Sequence, residues 1–475
     1  MIKLDMDLAC QLLSKICPSQ TLARDSAEYE RARASYWTGE QARATPACIF
    51  RPRTVVDVSM ALSGGHGKFH GESSISNGVS IDLAMLNHMV LEEDRSVVKN
   101  GPGNRWLDVY TTLEPQGLTV VGGRAMTVGV GGFLLGGGIS FYCNKYGWAL
   151  DNIREYEVVL VNGTIVTASA DSHPELYKAL RGGGGNFGIV TSFTLNAYPH
   201  PGMWGGPVAW DIIHSDSVIA AFMKAGESAP EDPNAFFILA LGKTGGHWHW
   251  GSWLSYCDRV ESPVFFQDVL AIPSIYSAAK TQSHSEMSRI MARGYPHHVE
   301  NSLWVSCTNI DEHMICYWGD VWIEEMDKIA DVEGLKVQVA IQYITQNVID
   351  RMTVNGGNAL GLADKGPFLM FNAEPVWAKK EDNPRVLLTL QTIFDRTEAE
   401  AKQRGVYNPY IYLNYASQYQ NAFEAFDEKT REFLENTSRI YDPDGLFQDL
   451  RGAGFKLKGP PEKRFPASLS DGLTL

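Results

Sequence analysis

Three glycine-rich stretches hold the residues of this 475-residue chain best suited to chemistry. Gly122–Asn152 reads GGRAMTVGVGGFLLGGGISFYCNKYGWALDN, with nine glycines interleaved with apolar residues. Gly182–Gly188 (GGGGNFG) and Ser63–Gly71 (SGGHGKFHG) are the other two. Glycine lets a backbone pass close to a ligand or take positive φ. Successive free backbone N–H groups form an anion-binding concavity. One such stretch suits tight turns between buried strands equally well, but three in one half of the chain point to a large phosphate-bearing ligand. His66 stands between glycines, where a planar ligand can approach its ring. On spacing alone, a histidine that caps a turn by hydrogen bonding fits His66 better.

Other chemistries find less support. Residues 183–188 satisfy GxGxxG, but the dinucleotide fingerprint needs a strand before it and a helix after it. Here Pro174–Leu180 before it reads as helix and Ile189–Leu195 after it as strand, so the order is reversed. There is no GxxxxGK[ST] and no GxSxG, which removes the nucleoside triphosphatase and serine-hydrolase readings. His247-Trp248-His249 puts two histidines on one face of a possible strand, and His297-His298 are adjacent. A metal needs three or four converging ligands, so no metal site is expected.

The elements that position these loops follow from periodicity. The first fifty residues read as a polar helical lead-in, with a short buried strand at 47–50. Thr54–Leu62 starts as a helix and runs into the Ser63 loop. Strands are expected at Val79–Leu83 and Leu118–Val121, a helix at Arg105–Glu114, and a hairpin at 156–168 with an Asn-Gly turn. Beyond Pro199 and Pro201 the pattern becomes α+β with an antiparallel sheet. Strands are expected there at Ala235–Leu241 and Val337–Tyr343, and helices at Ile212–Ala225 and Asp382–Thr397. A short strand at Tyr410–Asn414 and a helix near 421–439 close the chain.

Length favours two domains. A net charge of −14 argues against a nucleic-acid surface, which needs a basic face. The seven scattered cysteines show no CxxC spacing, so neither a zinc site nor a disulfide framework is indicated. The N-terminus is a poor signal peptide and no apolar run spans a bilayer. A cytoplasmic location, with no membrane partner, is the expectation.

Taken in order, the motifs are specific. They are Ser63-Gly64-Gly65-His66, Ile81-Asp82-Leu83, Gly101-Pro102-Gly103 with Trp106, and Val128-Gly129-Val130-Gly131-Gly132. Gly136-Gly137-Gly138-Ile139-Ser140, Tyr146-Gly147, Asp151-Asn152, Leu180–Thr191, Tyr412-Leu413-Asn414-Tyr415 and Tyr441-Asp442-Pro443 follow. In this set the chain resembles, nearly end to end, the fungal branch of the berberine bridge enzyme-like flavoproteins. These belong to the vanillyl-alcohol oxidase/p-cresol methylhydroxylase superfamily.

The resemblance implies an α+β fold with an FAD domain made from residues 1–200 and 405–475, and an antiparallel-sheet substrate domain over 201–404. It implies a covalent bond from His66 to the flavin. Relatives with a second bond use a cysteine just before Thr-Val-Gly. Ala125 and Met126 stand there, so one link is expected. Gly64, Gly65, His66 and Gly67, then Thr127, Val128, Gly129, Gly132 and Gly137, then Gly188, Ile189, Val190 and Asn414 would hold FAD. The implied reaction oxidises a small natural product in secondary metabolism by hydride transfer to flavin, with molecular oxygen as acceptor. A tyrosine base is implied, Tyr412 first, then Tyr142 and Tyr343. Such a base needs a nearby positive charge to lower its pKa. A redox-neutral cyclase or isomerase on the same fold, with Glu374 or a tyrosine moving the proton, is the competing reading. The segment between Val58 and Ser63 is shorter than in relatives by roughly fifteen to twenty-five residues, enough for a helix end and one strand.

Overall fold

The computed structural model describes residues 6–58, 74–293, 298–451 and 454–459. A three-stranded sheet comes first, from β1 (Thr21–Ala23), β2 (Cys48–Phe50) and β3 (Val79–Ile81), with β2 and β3 parallel. A six-stranded antiparallel sheet follows from β4 (Met89–Leu91), β5 (Val97–Asn100), β6 (Leu118–Val120), β7 (Ile153–Val159), β8 (Ile165–Ser169) and β9 (Ile189–Pro199). Its centre is the eleven-residue β9, which pairs with β5, β6 and β7.

The second half forms a nine-stranded antiparallel sheet. Its strands are β10 (Met203–Asp211), β11 (Ala235–Thr244), β12 (His247–Tyr256), β13 (Ser274–Ser277) and β14 (Lys280–Gln282), with β16 (Trp304–Asn309), β17 (Gln338–Ile344), β18 (Phe368–Ala373) and β20 (Tyr407–Asn408). A small ribbon pairs β15 (Glu300–Asn301) with β19 (Val376–Trp377). The β11–β12 hairpin closes through Gly245-Gly246, both at positive φ, the conformation a two-residue hairpin turn requires.

Alternation divides this sheet into two faces. Leu239, Leu241, Val339, Ile341 and Phe371 pack with tryptophans into one core under the helices Ser215–Ser228, Glu312–Asp327 and Asn383–Gln403. Trp318 stacks on Phe371 at 5.0 Å. The opposite face, with Phe236, Ile238, Ala340 and Met370, joins the main core of the first half. Buried Arg181 ties the halves together. It donates to the carbonyls of Leu150 at 3.1 Å and Gly357 at 2.7 Å and faces Asp151 at 3.4 Å.

Most expected elements are present, including Trp106–Leu113, Pro174–Leu180 and the 153–169 hairpin. Others differ. The lead-in contains the strand β1. Tyr410–Asn414 is not a strand: Tyr410 N–H goes to Asn408 Oδ1 at 3.1 Å, and Tyr415 N–H closes a turn onto Tyr412 O at 2.9 Å. The backbone donors are used locally, so no ladder forms. The last long helix begins only at Glu428, because Asp427 accepts from Thr430 N–H and caps it.

The cysteines also correct the reading. Cys10 and Cys48 form a disulfide across 38 residues. It is invisible to spacing rules because the helix Met6–Ile16 packs beside β1, which pairs with β2. Among the described residues no helix is long and apolar enough to cross a membrane.

Candidate active site

The site is assembled from a loop, a turn and the inner face of the large sheet. After β6 the chain passes through Gly122 and Gly123, pressed against Trp106. A Cβ on either would lie 2.3 Å from the indole. Tyr110 Oη donates to Gly123 O at 2.7 Å. This close approach fixes where Arg124 leaves the core. Trp106 N–H then donates to Val128 O at 3.1 Å and Val130 N–H to Asn104 O at 3.0 Å. Thr127, Val128 and Gly129 are thus held half-exposed ahead of the helix Val130–Gly136.

That helix has no side-chain cap, so past Val130 its first-turn amides have no capping side chain and face an outside acceptor. A Cβ on Gly129 or Gly132 would meet nothing within 4 Å. Open backbone with free donors is what an anionic cofactor needs, so the residues here fit the pyrophosphate of FAD. Gly188 differs, since its missing Cβ would strike Val158 Cγ1 at 2.6 Å. Ile189 and Val190 lie in β9, opposite Val159 and Val158 of β7. Gly64, Gly65, His66 and Gly67 lie outside the described residues.

The C-terminal segment crosses the far end of the same helix. Gly136 and Gly137 receive Asn414 and Tyr412 so closely that a Cβ would lie 2.0 Å from Asn414 Oδ1 or 2.6 Å from Tyr412 Cε2. Tyr412 Oη accepts from Gly138 N–H at 2.8 Å and Asn414 Nδ2 at 3.0 Å, and Asn414 Nδ2 also donates to Phe133 O at 3.0 Å. Full burial pushes the Tyr412 phenol well above its ordinary pKa, against those two donors. The geometry is that of a pin joining the chain's end to the glycine bend.

Three residues on, Tyr415 is placed differently. Its ring stands edge-on to Tyr412 at 4.8 Å, and its hydroxyl meets Arg124 Nη2. Arg124 Nη1 donates to Gln342 Oε1 at 2.8 Å, and the guanidinium sits 5.5 Å above the Phe236 ring. Burial raises the Tyr415 pKa, and Arg124 opposes the rise. Glu374, which accepts from Asn372 Nδ2, adds to it. This tyrosine has the cation that a base requires.

The other two expected tyrosines are elsewhere. Tyr343 follows Gln342 on β17 and so faces the other side of the sheet, where it fills the space beside Gly226 of Ser215–Ser228. Tyr142 is buried with its hydroxyl 2.7 Å from His200 Nδ1. His284 N–H donates to His200 Nε2 at 3.3 Å, so the His200 proton sits on Nδ1 and points at Tyr142. Burial raises Tyr142 and lowers His200 and His284.

Arg124, Tyr415 and Gln342 are the residues that sequence reasoning missed. Tyr415 ends the quoted Tyr412–Tyr415 motif, and Arg124 lies inside the glycine stretch. Gln342 is a polar break between Ile341 and Tyr343 in an apolar strand.

Comparison with known proteins gives the family and the fold. The family described as FAD binding domain matches residues 54–169. The FAD-dependent monooxygenase tpcD of Cochliobolus heterostrophus is 34% identical over 449 residues, covering 89% of this chain and 87% of that protein. The chain belongs to the berberine bridge enzyme-like FAD-linked oxidoreductases. The FAD-dependent monooxygenase sdcF of Emericella nidulans is 31% identical, with 95% and 98% coverage. Two solved oxidoreductases share the fold. Xylooligosaccharide oxidase from Myceliophthora thermophila has a TM-score of 0.75 at 20% identity, covering 92% of this chain and 98% of that one. Berberine bridge enzyme from Eschscholzia californica has a TM-score of 0.74 at 15% identity, covering 97% and 100%. This berberine bridge enzyme-like chain is an FAD-dependent enzyme with the α+β, p-cresol methylhydroxylase-type fold, acting on a small molecule.

Proposed function

We propose that this oxidoreductase removes hydrogen from a small molecule bearing an acidic O–H or N–H, with Tyr415 taking the proton. The observation that carries the reading is the contact between Tyr415 Oη and Arg124. A phenol that must ionise in a half-buried site needs a fixed positive charge beside the oxygen. Arg124 supplies it while Gln342 and Phe236 hold the guanidinium in place. Tyr412 and Asn414 act as positioning residues that fix the turn carrying Tyr415.

FAD, when bound, supplies the hydride acceptor and the means of passing electrons to oxygen. Thr127, Val128, Gly129 and Gly132 would offer it backbone contacts, and His66 a covalent attachment. The nine-stranded sheet supplies the substrate side. The Cys10–Cys48 bond favours an oxidising compartment over the cytoplasm, which a thiol count on the freshly isolated protein measures.

Product mass tests the reaction. Loss of two hydrogens with peroxide formed is the expected result, and insertion of one oxygen would make the enzyme a monooxygenase. A product of unchanged mass would overturn the oxidative reading in favour of a redox-neutral proton shift through Tyr415 and Glu374.

A further inference from the structure

The inner face of the large sheet carries a feature that the proton site does not use. Cross-strand partners point to the same face, so the pairing registers give the rows of side chains. One row runs Ala209, Gly251, Ala240, Ala340, Asn372 across five neighbouring strands. Four consecutive strands therefore present nothing larger than a methyl group. Three inter-strand steps of about 4.8 Å make this floor ~14 Å long.

Larger side chains border it. The row two residues to one side holds Trp253, Ile238 and Gln342, and the row on the other side holds His249 and Gln338 with Gly242 as a gap between them. These ridges stand about 13–14 Å apart along the strands, two steps of ~6.8 Å. A Cβ on Gly251 would meet only Ala240 O, at 3.9 Å. The trough is open at that end and leads inward to Gln342, the residue that holds Arg124.

A second observation marks the inner end as a place for a ligand. Asn372 is 1% exposed, and its Oδ1 has no hydrogen-bond partner among the described residues. Its Nδ2 donates to Glu374 Oε1, so the amide cannot flip to satisfy the oxygen. A buried carbonyl left in this state costs about 1–3 kcal/mol, and a donor on a bound molecule would recover it.

We propose that this trough sets substrate specificity, accepting a flat fused-ring or conjugated molecule whose N–H or O–H donor reaches Asn372 Oδ1. Ala240 and Ala340 set the depth, the Trp253 ridge gives a stacking wall, and Gly251 opens the outer end. The proposal rests on reading Arg124, Gln342 and Tyr415 as the reacting end.

The test uses 2-aminoanthracene as a probe, followed by quenching of tryptophan emission, with flavin absorbance recorded on each sample. Saturable binding is expected, weakened at least tenfold by Gly251→Leu and by Ala240→Leu with flavin content unchanged. The bulky 1-adamantanamine should not compete. Asn372→Leu should erase the advantage of 2-aminoanthracene over anthracene. Unchanged affinity in both trough variants, or equal displacement by 1-adamantanamine, overturns the proposal. Wild-type protein that keeps flavin yet does not bind the probe overturns the trough and leaves the proposed function standing. Specific probe binding by a folded, flavin-free protein does the reverse.

Discussion

The two faces of the nine-stranded sheet rise from the same strands but differ in what stands on them. On the helix side, Leu239, Leu241, Val339, Ile341 and Phe371 meet seven fully or nearly fully buried tryptophans, Trp204, Trp210, Trp250, Trp304, Trp318, Trp322 and Trp377. On the other side the same strands carry Ala240, Ala340, Gln342 and Asn372. Close packing leaves no voids where stability is made. A site needs the opposite: missing volume, a charge, and polar atoms held ready. Residue by residue, β17 alternates between the two jobs, which is why Gln342 reaches Arg124 while Tyr343 fills space beneath a helix.

Substitutions on each face should therefore separate activity from stability. The largest effect belongs to Tyr415→Phe, which removes one hydroxyl from the site. Turnover should fall by about 10²–10⁴, the range for loss of a positioned acid or base, while the unfolding midpoint stays put. A matching fall in the midpoint would place Tyr415 with the structural residues. On the helix face, Trp318→Ala should do the reverse. It removes a buried ring stacked on Phe371 and set edge-on to Phe394, at a cost of about 3–5 kcal/mol in denaturant unfolding. Protein that still folds should keep its substrate preference.

Arg124→Gln gives a smaller, more diagnostic change. The base form of Tyr415 is needed, so activity rises with pH through its pKa. Arg124 lowers that pKa against burial, so removing it should move the rising limb of kcat/KM to higher pH. A limb that stays in place would separate Arg124 from proton transfer.

The smallest effect lies away from both faces. His200 and His284 are buried and held below the ordinary histidine pKa, by desolvation first. Below about pH 6.5 the unfolded chain takes up protons that the folded chain refuses. Stability present above that pH should be lost as pH falls, and His200→Gln should flatten the slope between pH 7 and 5.

Much of the fold was legible because its signals are local. Pro174–Leu180 begins with a proline at a helix start, and 153–169 turns at Asn162-Gly163. The failures share a cause, which is that distant partners set the outcome. Tyr410–Asn414 reads as a strand by alternation, yet Tyr412 and Asn414 alternate in order to meet Gly136–Gly138. Cys10 finds Cys48 only through a helix docked on a strand pair. For the site, residue types pointed to glycine loops and to a tyrosine beside a cation. The proposed preference for Tyr415 over Tyr412 rests on where Arg124 ends, which its contacts with Gln342 and Phe236 fix.

The account depends most on flavin sitting against the open glycine turn. The direct measurement is the visible absorption spectrum of the purified, folded chain, read again on pellet and supernatant after acid precipitation. A flavin band that remains with the pellet is the predicted result, with His66 as the attachment. A folded protein with no flavin band at all would contradict the account.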